Sequence, residues 1–298
     1  MSIYEELKLK LDYIRQVYRD HSISLKPEEG LYKALEEAQA FADGIATTEP
    51  PTESLYKFSI FSIHPMWALA ETIQSCLDGG LEISTHLKRI TTGSVNYGTP
   101  GVSSRDHSFK DFELELFVAG ILRKRGVLVE FAENPSDPRG EMIVGNVWIE
   151  IKHPNSTRQI EKNVRDFNGK MYRNGTYGVF ITGIEDMFNL GEKVFFDDEE
   201  EFQSWWEPKA LEIDEFGIGV IKRSIGLQRI LAMAQTGCQV RSVGGRTNLF
   251  RTGNSIVFDN RSGISDETYN IVIEIAQALC PLPGLPSMYS RVAHLLSP

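Results

Sequence analysis

Cysteine is scarce in this chain. Cys76, Cys238 and Cys280 are its whole complement in 298 residues. An odd number of widely spaced thiols argues against a disulfide framework and a thiolate metal site, and predicts reduced cysteines. The six histidines form no zinc pattern either. Long hydrophobic runs are missing, so no segment reads as a membrane span. Residues 1–6 lack the basic and apolar layout of a signal peptide, and the expected location is cytoplasmic. Positive charge is in deficit: 31 Lys and Arg against 41 Asp and Glu leave a net −10. That balance argues against a protein that coats nucleic acid without regard to sequence. Internal repeats are absent, and no glycine cluster has the spacing of a nucleotide phosphate loop.

What remains is ordinary globular material, with hydrophobic residues at 41% and enough length for one large or two small domains. Its charge is unevenly spread. Residues 1–80 carry −6, residues 81–180 carry +2, and residues 181–298 carry −6. The middle third is therefore where an anionic substrate meets least repulsion.

Helical spacing dominates the N-terminal part. Leu7, Leu11, Ile14 and Tyr18 mark one helix, and residues 31–42 and 66–77 mark two more. Residues 91–108 are rich in Gly, Ser, Thr, Asn and Pro and read as a linker. The next helix carries Leu114, Phe117, Val118 and Ile121 on one face and stops at Gly126. A strand is expected at residues 127–132. Two more should flank Gly145-Asn146, a two-residue hairpin signal. A second helix follows, N-capped by Asn155, Ser156 or Thr157, with Ile160, Val164, Phe167 and Met171 along one stripe. Asn174-Gly175 ends it, and residues 177–182 supply another strand. Further on, residues 216–221 read as a late strand and residues 226–234 as a helix. Residues 244–258 read as a hairpin region, and residues 266–279 as a last helix.

The chemistry concentrates at Glu150-Ile151-Lys152, which ends the apolar run Val147-Trp148-Ile149. Alternation along a strand puts Glu150 and Lys152 on one face while Ile151 enters a core. A carboxylate and an ammonium side by side can hold a hard cation and position a water. Arg158, Lys162 and Arg165 follow within one loop as candidate phosphate contacts. His153 is a further candidate substrate contact.

The order α-β-β-β-α-β over residues 105–184, with Val-Trp-Ile-Glu-Ile-Lys ending its third strand, resembles the PD-(D/E)XK nuclease superfamily. The resemblance implies a mixed α/β (α+β) protein with a restriction-endonuclease-like core, in which helices flank a central mixed sheet. The expected layout is a helical region over residues 1–90, a linker over 91–108, and a nuclease domain over 109–298 with its core at 109–184. Glu150 and Lys152 match the third-strand acid and lysine. Glu141 matches the second-strand acid, although the family usually has Asp there, and Asp137 is the alternative. Glu115 matches the first-helix acid, with Glu113 as its alternative.

Carried over, these positions imply a Mg²⁺ site (Mn²⁺ substituting) held by Glu141 or Asp137, by Glu150 and by the Ile151 backbone carbonyl. Lys152 would orient or deprotonate the attacking water. The implied activity is hydrolysis of phosphodiester bonds in DNA, in preference to RNA. Restriction, phage defence and DNA repair are the family's usual settings, and a homodimer or a partner subunit is compatible with them. Glu in place of Asp at position 141 motivates the alternative, a catalytically inactive module that binds nucleic acid or a protein. An enzyme of the same layout acting on another phosphodiester is a third reading.

Overall fold

The computed structural model describes residues 3–45, 53–93, 95, 108–132, 140–154, 156–223, 229–257 and 263–279. The chain divides into two compact units. One comprises residues 1–120, 191–197 and 239–250, and the other residues 121–190, 198–238 and 251–298. The division falls inside a helix, after Gly120, rather than at the Gly- and Ser-rich stretch of residues 91–108.

The first unit is mainly helical: α1 (Ile3–Asp20), α2 (Gly30–Ile45), α3 (Glu53–Asp78), α4 (Ser84–Ile90) and most of α5 (Ser108–Lys124). The stripe Leu7, Leu11, Ile14 and Tyr18 on α1 is buried, as its spacing predicts. Tyr18 also donates its hydroxyl to the Leu87 carbonyl at 3.0 Å. That bond satisfies the one polar atom the stripe takes into the core.

The second unit is built on a mixed sheet in the order β1 (Val129–Phe131), β2 (Met142–Val144), β3 (Val147–Lys152), β4 (Tyr177–Gly183) and β6 (Ile230–Val243). The pairs β1–β2 and β2–β3 are antiparallel, whereas β3–β4 and β4–β6 are parallel. The short β5 (Phe195–Phe196) pairs with the far end of β6, which lies in the first unit. A further strand, β7 (Arg246–Val257), also pairs with β6. Val144 and Val147 are directly paired, so Gly145-Asn146 is a two-residue turn as its composition predicts.

Helix α6 (Thr157–Asn174) is delimited by the residues the sequence offered. Ser156 caps its start through Oγ to the Gln159 N–H, and Gly175 ends it at φ 65°. Its stripe Ile160, Val164, Phe167 and Met171 packs with Phe180 of β4 and Met233 of β6. Ile149, Ile151, Val179 and Ile181 are also buried, so β3 and β4 are covered on both faces. Helix α8 (Asp266–Leu279) lies where it was expected and holds the β2–β3 turn. There the Asn146 side-chain amide donates to Thr268 Oγ1 at 2.6 Å.

Two expectations fail. Residues 216–221 are not a strand but belong to α7 (Glu199–Arg223). Phe216, Ile218 and Val220 alternate with glycines and imitate a two-residue period. The buried positions Ile213, Gly217 and Val220 instead follow the helical one. Of the helix expected at 226–234, residues 226–228 lie outside the described residues, and residues 230–234 instead open β6, where Ile230, Leu231, Ala232, Met233 and Ala234 are all buried. A strand buried on both faces loses its alternation and cannot be told from a buried helix by period alone. Among the described residues, no helix is long and apolar enough to cross a membrane.

Candidate active site

The antiparallel register sets Met142 against Ile149, and the residue before Met142 is Glu141. Its backbone N–H donates to the Ile149 carbonyl at 3.0 Å, which places Glu141 beside the C-terminal end of β3. Gly140 makes this approach possible. Its φ is +87°, and a Cβ there would lie 2.6 Å from the Ile149 oxygen. Only glycine takes that backbone without strain.

Glu141 then uses both carboxylate oxygens. Oε2 accepts from the Ile151 N–H at 2.9 Å, and Oε1 accepts from Lys152 Nζ. The same ammonium lies 3.1 Å from Glu150 Oε1. Glu150 and Lys152 project toward α6, on the face that carries Trp148, as strand alternation requires. There Lys170 of α6 approaches Glu150, with Nζ 3.3 Å from Oε1 and 3.5 Å from Oε2. Glu141, Lys152, Glu150 and Lys170 thus form a chain of alternating charge. The two acids do not simply repel each other, because an ammonium lies between them.

Burial by itself lowers the Lys152 pKa, but the adjacent Glu141 and Glu150 carboxylates outweigh it and push the group up to about 12. In this arrangement Lys152 is a cation at neutral pH. It can donate hydrogen bonds and stabilise negative charge, but it has no lone pair with which to take a proton. Exposure alternates along the chain of charges: the Glu150 side chain is 7% exposed, while Lys152 and Lys170 on either side of it are 35% and 32% exposed. Solvent therefore reaches both ammoniums while Glu150 stays shielded.

The other expected residues lie as follows. Glu115 accepts from, or is ion-paired with, His86 of α4, with Oε2 2.9 Å from Nε2. Glu113 is buried, and its charge adds to the burial that raises the Cys76 thiol pKa to about 12. Both acids belong to the first unit. Asp137 lies outside the described residues. Arg158, Lys162 and Arg165 are exposed on the side of α6 opposite its buried stripe, and Arg165 bonds the Glu161 carbonyl of its own helix. His153 is turned inward. It packs so closely on Gly183 that a Cβ there would overlap the ring, and its Nε2 is 3.8 Å from Glu185 Oε2.

Lys170 was not among the expected site residues. It lies on the flank of the α6 stripe, between Phe167 and Met171, where spacing offers no functional signal. A polar row also escaped the sequence. Lys152, Thr182 and Gln235 occupy one level across β3, β4 and β6. Gln235 is 1% exposed, and neither atom of its carboxamide finds a hydrogen-bond partner among the described residues.

Among the described residues, no group of three or more His, Cys, Asp or Glu side chains is arranged to hold a metal ion. Two carboxylates do converge, since Glu141 and Glu150 share one ammonium between them. Mg²⁺ commonly takes one or two protein carboxylates and completes its shell with water, so a pair is a sufficient protein contribution. Ile151 fits as well. In an extended strand the N–H and C=O of one residue face the same side, and the Ile151 N–H faces Glu141.

Comparison with known protein families, with curated proteins and with solved structures found no match.

Proposed function

We propose that the chain is a metal-dependent nuclease of the PD-(D/E)XK type that hydrolyses phosphodiester bonds of DNA. One observation carries the reading: Glu141 and Glu150 converge on Lys152 at the C-terminal end of β3. The order α5-β1-β2-β3-α6-β4, with an antiparallel β1-β2-β3 meander and a parallel β4, supports a restriction-endonuclease-like core.

Glu141, Glu150 and the Ile151 carbonyl would hold Mg²⁺ or Mn²⁺, which when bound supplies Lewis acidity and a more acidic water. Lys152 contributes a fixed positive charge against the pentacovalent phosphate and a donor that orients the attacking water. Glu115, engaged by His86, is left out of the reacting set. Restriction, phage defence and repair are settings in which such an activity is used.

The test is incubation with plasmid, linear and single-stranded DNA and with RNA, each with Mg²⁺, Mn²⁺ or EDTA. Cleavage should require the divalent ion. Lys152→Ala, Glu150→Gln and Glu141→Gln should each lower the rate by roughly 100-fold or more. Full activity of Lys152→Ala or Glu150→Gln would sink the mechanism. Should Asp137→Ala abolish cleavage and Glu141→Gln spare it, the second-strand acid is Asp137. Metal-independent DNA binding with no cleavage of any substrate would favour the inactive binding module.

A further inference from the structure

We infer that Lys170 is a second functional lysine of this site, which exchanges Glu150 for a substrate phosphate when a divalent ion binds. The inference rests on the nuclease reading above and adds a residue to it. Three observations support the exchange.

The first is charge. Two ammoniums, Lys152 and Lys170, lie against the one carboxylate of Glu150. A divalent ion on Glu150 adds two positive charges beside them, so one contact must yield. The contact that yields is the looser one. Lys170 lies 3.3 and 3.5 Å from the Glu150 oxygens, whereas Lys152 is 3.1 Å from Glu150 and also bonds Glu141.

The second is access. Lys170 is 32% exposed while Glu150 is 7% exposed, so the ammonium lies at the solvent side of its partner. A lysine has a flexible four-carbon stem and three donors, and it can swing to a new anion without movement of its helix. The third is alternatives. On α6, Arg158, Lys162 and Arg165 point away from the sheet. Lys170 is the cation of that helix held beside the reacting carboxylates.

The chemistry then follows. With Glu150 occupied by the metal, Lys170 is repelled by the ion and attracted by an incoming phosphodiester. It neutralises a non-bridging oxygen on the α6 side while Lys152 acts from β3. Without metal, Lys170 stays on Glu150 and contributes nothing to DNA binding.

Two measurements test this on the full chain. Mn²⁺ binding without DNA, followed by electron paramagnetic resonance, should be about fivefold tighter in Lys170→Gln, because a competing cation has gone. Lys170→Arg should resemble the parent. DNA affinity should then be measured against salt concentration in Ca²⁺ and in EDTA, with the duplex checked to be intact. In Ca²⁺, Lys170→Gln should flatten the logarithmic salt dependence by about one phosphate contact, a slope change near 0.9. In EDTA it should change nothing.

Unaltered Mn²⁺ affinity in Lys170→Gln overturns the exchange. So does a slope change that is equal with and without the divalent ion. These failures are separable from failure of the nuclease reading. If only the exchange fails, the parent still binds Mn²⁺ and loses it in Glu150→Gln; if the nuclease reading fails, the parent binds no Mn²⁺, and the exchange falls with it.

Discussion

Gly140 shows how a single residue sets the position of a functional group. Its φ of +87° turns the chain so that Glu141 meets the end of β3, and the Ile149 oxygen leaves no space for a methyl group. Gly140→Ala should cost about 1–3 kcal/mol through backbone strain. By displacing Glu141 it should also reduce cleavage more than the loss of stability explains. Thermal unfolding and kcat on the same preparation would separate the two effects. His64 of α3 sets a pH limit of a different kind. Burial lowers its pKa from an ordinary 6.5 to about 4. A depressed folded pKa means that its contribution to stability is complete above 6.5 and is lost as pH falls toward 4. His64→Gln should therefore flatten the fall in Tm between those pH values, and an unchanged acid profile would count against burial of the neutral ring.

Among the elements, α6 was the most legible. Its four apolar residues, its Ser cap and its Gly stop are all local signals, and each performs the expected task. The helix has two distinct faces, which mutation should resolve. Phe167→Ala removes a fully buried ring between α6 and β4 and should cost about 3–5 kcal/mol. Arg165→Ala on the exposed side should stay within about 0.5 kcal/mol, as measured by denaturant unfolding. The β2–β3 hairpin was legible for the same reason, since a two-residue Gly-Asn turn fixes its register. By contrast, α7 and β6 misread as each other's type. The apolar run at Ile230 is a strand because β4 and the α6–α7 cluster enclose it. Nothing inside the run itself says so. Glu115, whose helix position suggested a catalytic acid, takes a partner that no local pattern announces, since His86 comes from another helix 29 residues away.

At the scale of the molecule, the net charge of −10 opposes DNA binding except where cations gather. If the nuclease reading holds, binding in EDTA should be weak and vanish at roughly physiological salt, and a divalent ion should restore it. Fluorescence anisotropy with a short duplex, titrated in salt with and without Ca²⁺, measures this directly. Equal binding in the two conditions would mean that the affinity does not come from the Glu141–Glu150 site.

The sequence by itself determined the order of elements from α5 to β4, the tight hairpin, the limits of α6, and the shared face of Glu150 and Lys152. All of these follow from spacings within one element or one turn, where backbone geometry is periodic. Only the tertiary structure decided that Lys170 joins Glu150, that Glu115 pairs with His86, that Gln235 lies level with Lys152, and that residues 230–234 are a strand. Each of these depends on which elements pack together. That choice is made by burial of apolar surface over long sequence separations, and no local period encodes it.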